Sequence, residues 1–267
     1  MKILQTTLLL LFFSSTNALA QLSISLAPTE SYLKGKPGET VTQEFVVIND
    51  GALPYFLGCI FQDLWFDGEK TVSSDLGTIK DRQAGYQFQC SPNKILVPPK
   101  YVQKIKVVGV IPKEQEGERF TRFFAQMLPP DSTLTNASNL PKASVGYTAS
   151  IGATLSLTAD GTQKVSSEIS AVKVQKSKSF QSLQLKIKNT GNVHLDGTGT
   201  IVILDKAEKM MDKVEVKLPF LFPNQTKSIS VSLSEKLSAG SYSALMSIVG
   251  VSGGPAFAKE FPIVVSK

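Results

Sequence analysis

The residues that could carry out chemistry are few in this 267-residue chain, and they are not spaced as a catalytic or metal site. His194 is the only histidine, and no Gly-x-Ser-x-Gly nucleophile motif accompanies it. We interpret it as a turn residue that touches a domain junction or solvent. Glu114, Glu116 and Glu118 alternate with Gln and Gly, as in a solvated hairpin tip. Without clustered metal ligands or a phosphate-binding glycine loop, we expect no enzymatic activity, no metal and no cofactor.

Two cysteines, Cys59 and Cys90, are the other reactive groups. Cys90 shares the apolar face of an alternating segment with Tyr86 and Phe88, and Cys59 lies in the run 55–66, which is apolar on both faces as in a central strand. Both cysteines are therefore expected on buried strands. In an exported protein two such cysteines pair by default, and two buried free thiols are the alternative. We predict a Cys59–Cys90 disulfide.

The first twenty residues are typical of a secretory signal peptide. Lys2 precedes an apolar run at residues 8–13, and small residues before Gln21 form a cleavage site after Ala20. The run is too short to span a membrane, and no later segment is long and apolar enough. We therefore predict an exported protein that is not embedded in a membrane. The periplasm is the predicted compartment, and secretion from a eukaryotic cell is the alternative.

The charge pattern argues against nucleic-acid binding. The formal net charge is +6, but the lysines are scattered through strand-like segments and form no basic block. We interpret the small positive charge as favouring solubility, and we expect no nucleic-acid partner.

Short alternating or apolar segments, separated by Gly, Pro, Asn and Asp turns, fill the mature chain, and helical periodicity is almost absent. This spacing is typical of all-β sandwiches. The halves repeat one feature, a strand that ends in Asn-x-Gly, at residues 49–51 and 189–191. We predict two tandem immunoglobulin-like domains at 21–158 and 164–267, after a signal peptide at 1–20 and joined by a linker at 159–163.

The segment 144–158 has the clearest pattern in the chain. Its odd positions are apolar and its even positions are Ser, Thr or Gly, so it predicts a single strand with one apolar face. No charge or proline interrupts it, although exposed edge strands usually carry such residues to prevent pairing with other chains. The strand is therefore either covered within its own domain or built to pair with another polypeptide.

Four segments of the first half resemble those of a known family, at residues 26–40, 47–55, 88–107 and 111–130. They resemble the periplasmic chaperones of chaperone–usher pili, and the second half is similar to the C-terminal domain of the divergent, archaic members of that family. The resemblance implies that the protein caps pilus or fimbrial subunits by donating its seventh strand to an incomplete sandwich, and that its partners are such subunits and an outer-membrane usher. The alternative is a structural immunoglobulin-like protein of the envelope or cell surface.

The resemblance also implies the binding residues. The subunit-binding strand comprises the apolar face of 145–157, namely Val145, Tyr147, Ala149, Ile151, Ala153, Leu155 and Leu157. The family holds the subunit's terminal carboxylate with an Arg in the first strand and a Lys in the seventh, but this chain has Glu30 near the first position and no Lys within 145–157. Arg119, Arg122 and Lys142 are the candidate replacements, since guanidinium groups bind carboxylates well. Free molecules could also associate through the long edge strand.

Overall fold

The computed structural model describes residues 23–79, 82–128, 149–176, 180–234, 236–251 and 254–266. In these residues it is built almost entirely of strands, which form four sheets. Two of the sheets are made from residues 24–159 and two from residues 167–265, so each half of the chain is a separate sandwich. None of the helices in these ranges is long and apolar enough to cross a membrane.

The first domain packs a four-stranded sheet, in the order β1-β3-β8-β6, against a second sheet in the order β2-β10-β9-β4-β5, with β7 also paired to β4. A single 3₁₀ turn, Gly85–Gln87, precedes β6. The strands are β1 (Ile24–Ala27), β2 (Glu30–Gly35), β3 (Thr40–Asn49), β4 (Tyr55–Asp67), β5 (Lys70–Asp75), β6 (Phe88–Ser91), β7 (Lys94–Val97), β8 (Tyr101–Val110), β9 (Glu118–Met127) and β10 (Ser150–Ala159).

The second domain packs a three-stranded sheet, β11-β12-β15, against a four-stranded sheet, β14-β13-β16-β17. Its strands are β11 (Ser167–Lys176), β12 (Gln181–Asn189), β13 (Leu195–Leu204), β14 (Met210–Leu221), β15 (Thr226–Ser232), β16 (Gly240–Val249) and β17 (Phe257–Val265). Leu, Ile and Val side chains on alternate strand positions fill the space between its sheets.

The repeated Asn-x-Gly turns are built alike in both domains. The Asn49 carboxamide donates to the carbonyl of Leu53 (2.8 Å) and accepts from the Gly51 N–H (2.9 Å). Asn189, also fully buried, donates to Val193 (2.7 Å) and accepts from Gly191 (2.9 Å). A buried amide that replaces missing backbone partners holds each turn at the end of its strand.

Cys59 and Cys90 form the predicted disulfide. Cys59 lies on β4 and Cys90 on β6, so the bond joins the two sheets of the first domain, and the two Cα atoms are 6.4 Å apart. The alternative of two free thiols is thereby removed.

The domains meet at a buried aromatic cluster. Leu64 and Phe120 of the first domain pack with Phe222 of the second, and the rings of Phe120 and Phe222 lie 4.9 Å apart. His194 is buried at this junction beside Glu118. This corrects the sequence interpretation of Glu118 as part of a solvated hairpin tip, because its carboxylate is enclosed by the other domain rather than by solvent.

Candidate functional site

Strand β10 has two hydrogen-bonded neighbours along only part of its length. Strand β9 pairs with it from Ser150 to Thr158 in antiparallel register. Strand β2 pairs with its other side in parallel register, but only from Thr154 to Ala159. Within the described ranges no strand pairs with that second side of residues 150–153. The upstream four residues of β10 are therefore an open edge.

The crossing of the chain between sheets explains where this edge ends. β1 pairs with β3 in one sheet, and after Pro28 the chain enters the other sheet as β2. The first bond made to β10 runs from the Thr154 N–H to the Thr29 carbonyl, 2.9 Å away. β2 therefore cannot cover β10 upstream of Thr154.

Two hydrogen bonds, one on each side of the open edge, show which way its backbone N–H and C=O groups point. The Met127 N–H of β9 donates to the Ala149 carbonyl (2.8 Å), whereas the Thr154 N–H points the other way, to Thr29. Backbone groups on a strand alternate sides with a period of two residues in an antiparallel ladder. The N–H and C=O groups of Ser150 and Gly152 thus point away from β9, toward the open side.

Three of the predicted binding side chains fill the protein's own core. Ala153, Leu155 and Leu157 are fully buried and pack with Phe45 and Phe123 between the sheets of the first domain. A side chain enclosed in this core is not available to a partner's groove. These three residues therefore contribute to the domain's own core, and the binding role of the face as a whole stays a prediction.

The remaining predicted residues lie at or beyond the open edge. Ile151 is half-buried at the rim of the same core, and Ala149 is half-buried just outside β10. Both continue the apolar face of Ala153 with the same period of two. Val145 and Tyr147 lie outside the described residues, so their place on the face stays a prediction.

The candidate carboxylate anchors lie in different surroundings. Arg122 is half-buried on β9, and its Nη1 atom donates to Thr154 Oγ1 (3.2 Å), at the residue where the open edge ends. Arg119 instead lines a groove of about 560 Å³ at the domain junction with Trp65 and Arg82. Lys142 lies outside the described residues. Of the two described candidates, Arg122 is the one beside the open edge.

An exposed apolar patch on the outer face of the same sheet was missed from the sequence. Phe56 and Leu96 are register partners, each 46% exposed, and Ile60 (36% exposed) is the register partner of Phe124. Residues directly opposite each other in a sheet share a face, so these side chains form one surface. The run 55–66 is apolar on both faces, which indicated a strand covered on both, but the outer face near Phe56 is open.

Neither family models nor curated proteins match this chain. Solved structures do. The class 5 fimbriae chaperone CfaA aligns with a TM-score of 0.55 at 13% identity, covering 91% of this chain and 99% of CfaA. The fold is that of the fimbrial chaperones. A chain from the chaperone–tip adhesin complex of CFA/I fimbriae biogenesis aligns with a TM-score of 0.52 at 15% identity, covering 89% of this chain and 97% of that one. The predicted pair of immunoglobulin-like domains is confirmed.

Proposed function

We propose that this protein is a periplasmic chaperone that binds and caps fimbrial subunits by donating the upstream end of strand β10. One observation carries the proposal: β10 has β9 along its whole length, but among the strands that the structure describes none pairs with its other side at residues 150–153. An incomplete subunit sandwich lacks one strand, and this edge offers one.

The backbone supplies the first part of the interaction. A subunit that lacks a strand exposes a row of N–H and C=O groups, which are costly to leave unpaired. The outward N–H and C=O groups of Ser150 and Gly152 begin a ladder that an added strand can continue. Because Gly152 has no side chain, the Phe124 ring lies against it, and a Cβ atom built there would be 2.6 Å from that ring.

Side chains supply the second part. Ala153 belongs to the apolar face of β10 that packs in the core of the first domain. The same face continues upstream through Ile151 and Ala149, and the sequence pattern extends it through Tyr147 and Val145. Alternate side chains along this extension would enter the subunit's unfilled groove, at about 1.5–3 kcal/mol for each large aliphatic residue buried. A single strand would then supply side chains to two cores, to that of the protein itself at its downstream end and to that of the subunit at its upstream end.

Arg122 is the proposed anchor for a subunit's terminal carboxylate. It stands where β2 begins to cover β10, so a chain that pairs along residues 150–153 reaches its guanidinium at the end of the ladder. A guanidinium group can bind a carboxylate with two parallel hydrogen bonds. Arg119 and Lys142 stay as secondary candidates.

The partners and the compartment complete the proposal. Export by the predicted N-terminal signal would bring the protein to the periplasm. There it would deliver subunits to an outer-membrane usher, and free molecules could pair through the same edge. The shared fold with CfaA, a fimbrial chaperone, supports this function over that of a structural envelope protein. The aligned structure from CFA/I fimbriae is one in which a chaperone is bound to a tip adhesin.

Co-expression with candidate fimbrial subunits tests the proposal. We expect a one-to-one complex that Ile151→Asp abolishes, because a carboxylate cannot enter an apolar groove without a large desolvation cost. Val72→Asp is the matched control, since Val72 is an aliphatic residue, 37% exposed, on β5 at the opposite end of the same sheet. If both variants fold and bind equally well, strand donation from this edge is refuted.

A further inference from the structure

A glycine lies on the outer face of β10 within the open edge. The other even-numbered residues of the strand, from Ser150 to Thr158, are Ser or Thr. The backbone does not require glycine at position 152, because its φ angle lies outside the left-handed region that the positive-φ glycines of the described chain occupy. Glycine weakens a strand, and inside one it often marks a place where another group approaches closely. Gly152 therefore provides space rather than a special conformation.

The ring of Phe124 occupies that space. Phe124 is the register partner of Gly152 on β9. A Cβ atom built on Gly152 would lie 2.6 Å from the ring atom Cε1 and 2.9 Å from Cδ1. The outer part of the ring is thus the nearer part, so the side chain leans from β9 across β10 toward the open side. Because Phe124 is only half-buried, it presents an apolar ring beside the open edge.

Arg122 borders the same place with the aliphatic part of its side chain. Its Cδ atom would lie 3.4 Å from a Cβ atom on Gly152, whereas its guanidinium group donates to Thr154 Oγ1 at 3.2 Å. The stem of an arginine is apolar, and only its head carries the charge. We call the space over Gly152, between the Phe124 ring and the Arg122 stem, the Gly152 recess. Its lining is apolar, and the positive charge lies next to it, at Thr154.

A strand added at the open side would place one residue directly opposite Gly152. Opposite residues on neighbouring strands share a face, with Cβ atoms about 4.5–5.5 Å apart. At an ordinary position this residue would meet a side chain of β10, but here it would meet the Phe124 ring and the Arg122 stem. Such a lining favours an apolar neighbour, and a second aromatic ring gains further from an offset or edge-to-face arrangement.

We propose that the Gly152 recess is a second recognition element, which selects fimbrial subunits whose pairing strand carries a bulky apolar side chain opposite Gly152. That side chain lies on the outer face of the joined sheet, where a sheet that faces water usually has a polar residue. The inference rests on the proposed strand donation. It adds to that function a residue, Phe124, that lies on β9 and is not part of the donated strand.

The test measures the Kd of a fimbrial subunit that co-purifies with the full mature chain. Phe124→Ala should raise this Kd about tenfold, because the subunit's side chain loses the ring against which it packs. Gly152→Ala should raise it similarly, because the new methyl group displaces the ring, and the double variant should lose no more than Phe124→Ala alone. Phe56→Ala is the matched control. Phe56 is a 46% exposed ring on β4 of the same sheet, and its loss should leave the Kd unchanged.

Substitutions in the subunit identify the side chain that is recognised. Each apolar residue of the subunit is replaced by Ser in turn, and each variant is titrated against the wild-type protein and Phe124→Ala. One substitution should raise the Kd for the wild-type protein and have no further effect in Phe124→Ala. The absence of any such coupled residue overturns the proposal, and so do fully additive losses from Phe124→Ala and Gly152→Ala.

The remaining outcomes separate this inference from strand donation. An unchanged Kd in both Phe124→Ala and Gly152→Ala, with binding still abolished by Ile151→Asp, overturns the recess and leaves strand donation standing. A lower thermal midpoint of Phe124→Ala with an unchanged Kd assigns the ring to the packing of its own domain, which also overturns the recess. If no subunit binds the wild-type protein, strand donation fails and the recess fails with it.

Discussion

Replacing Ser150 with proline removes one outward N–H group from the open edge and leaves the ladder to β9 intact. Ser150 is the first residue of β10 and is exposed. The Ala149 carbonyl accepts a bond from β9, and the alternation of the ladder assigns the next bonds on that side to Ile151, the register partner of Ala125. Proline is tolerated at the first residue of a strand and where the missing N–H would face solvent. The free protein should therefore unfold at nearly the same temperature as the wild type.

The expected loss in binding follows from the single bond removed. A backbone hydrogen bond in a ladder contributes about 0.5–1.5 kcal/mol net, which corresponds to a roughly two- to twelvefold higher Kd for the subunit. Ser150→Ala is the matched control, because it removes the hydroxyl and keeps the N–H, and it should bind as the wild type does. Both variants can be compared by titrating a purified subunit, kept from self-assembly by a competing peptide, against each protein.

Equal binding by Ser150→Pro and Ser150→Ala would show that no partner accepts this N–H. The open edge would then be a by-product of the sheet crossing at Pro28, and strand donation would have to be abandoned. A large loss of thermal stability in Ser150→Pro would instead refute the assignment of backbone directions.

Three further predictions concern single features. Arg122→Ala should raise the Kd for the subunit by about tenfold, which corresponds to the loss of one charge-assisted hydrogen bond. Arg119→Ala should leave the Kd unchanged, and equal effects of the two substitutions would show that Arg122 is not the anchor. Asn189→Ala should lower the free energy of unfolding by about 3 kcal/mol, because it leaves several buried backbone groups unpaired. A loss below about 1 kcal/mol in urea titrations would contradict the role of Asn189 in pairing these groups. Reducing the Cys59–Cys90 bond, which closes a separation of 31 residues, should cost about 3–4 kcal/mol, and unchanged urea unfolding with reductant present would refute that.

Local patterns were sufficient where neighbours in sequence decide the structure. The Asn-x-Gly turns at Asn49 and Asn189 are determined by each side chain's reach to the next few residues. The Cys59–Cys90 pair followed from two strand faces and the export signal. These features depend on alternation and turn chemistry, which the sequence displays directly.

Long-range contacts limited the prediction of the candidate site. An alternating strand shows the same pattern whether its apolar face fills its own domain or a partner's, and only the position of β2 separates Leu155 from Ile151. Glu118 lies between Gly117 and Arg119 in sequence, but its buried hydrogen-bond partner is His194, 76 residues later. Such pairings are not encoded in any one segment.

The half-covered strand β10 sets a boundary on any added pairing. From Thr154 onward β2 and β9 flank it on both sides, so the ladder of a bound polypeptide would have to end before Thr154. Under the proposed function, a longer ladder could be gained only on the upstream side, away from the domain junction.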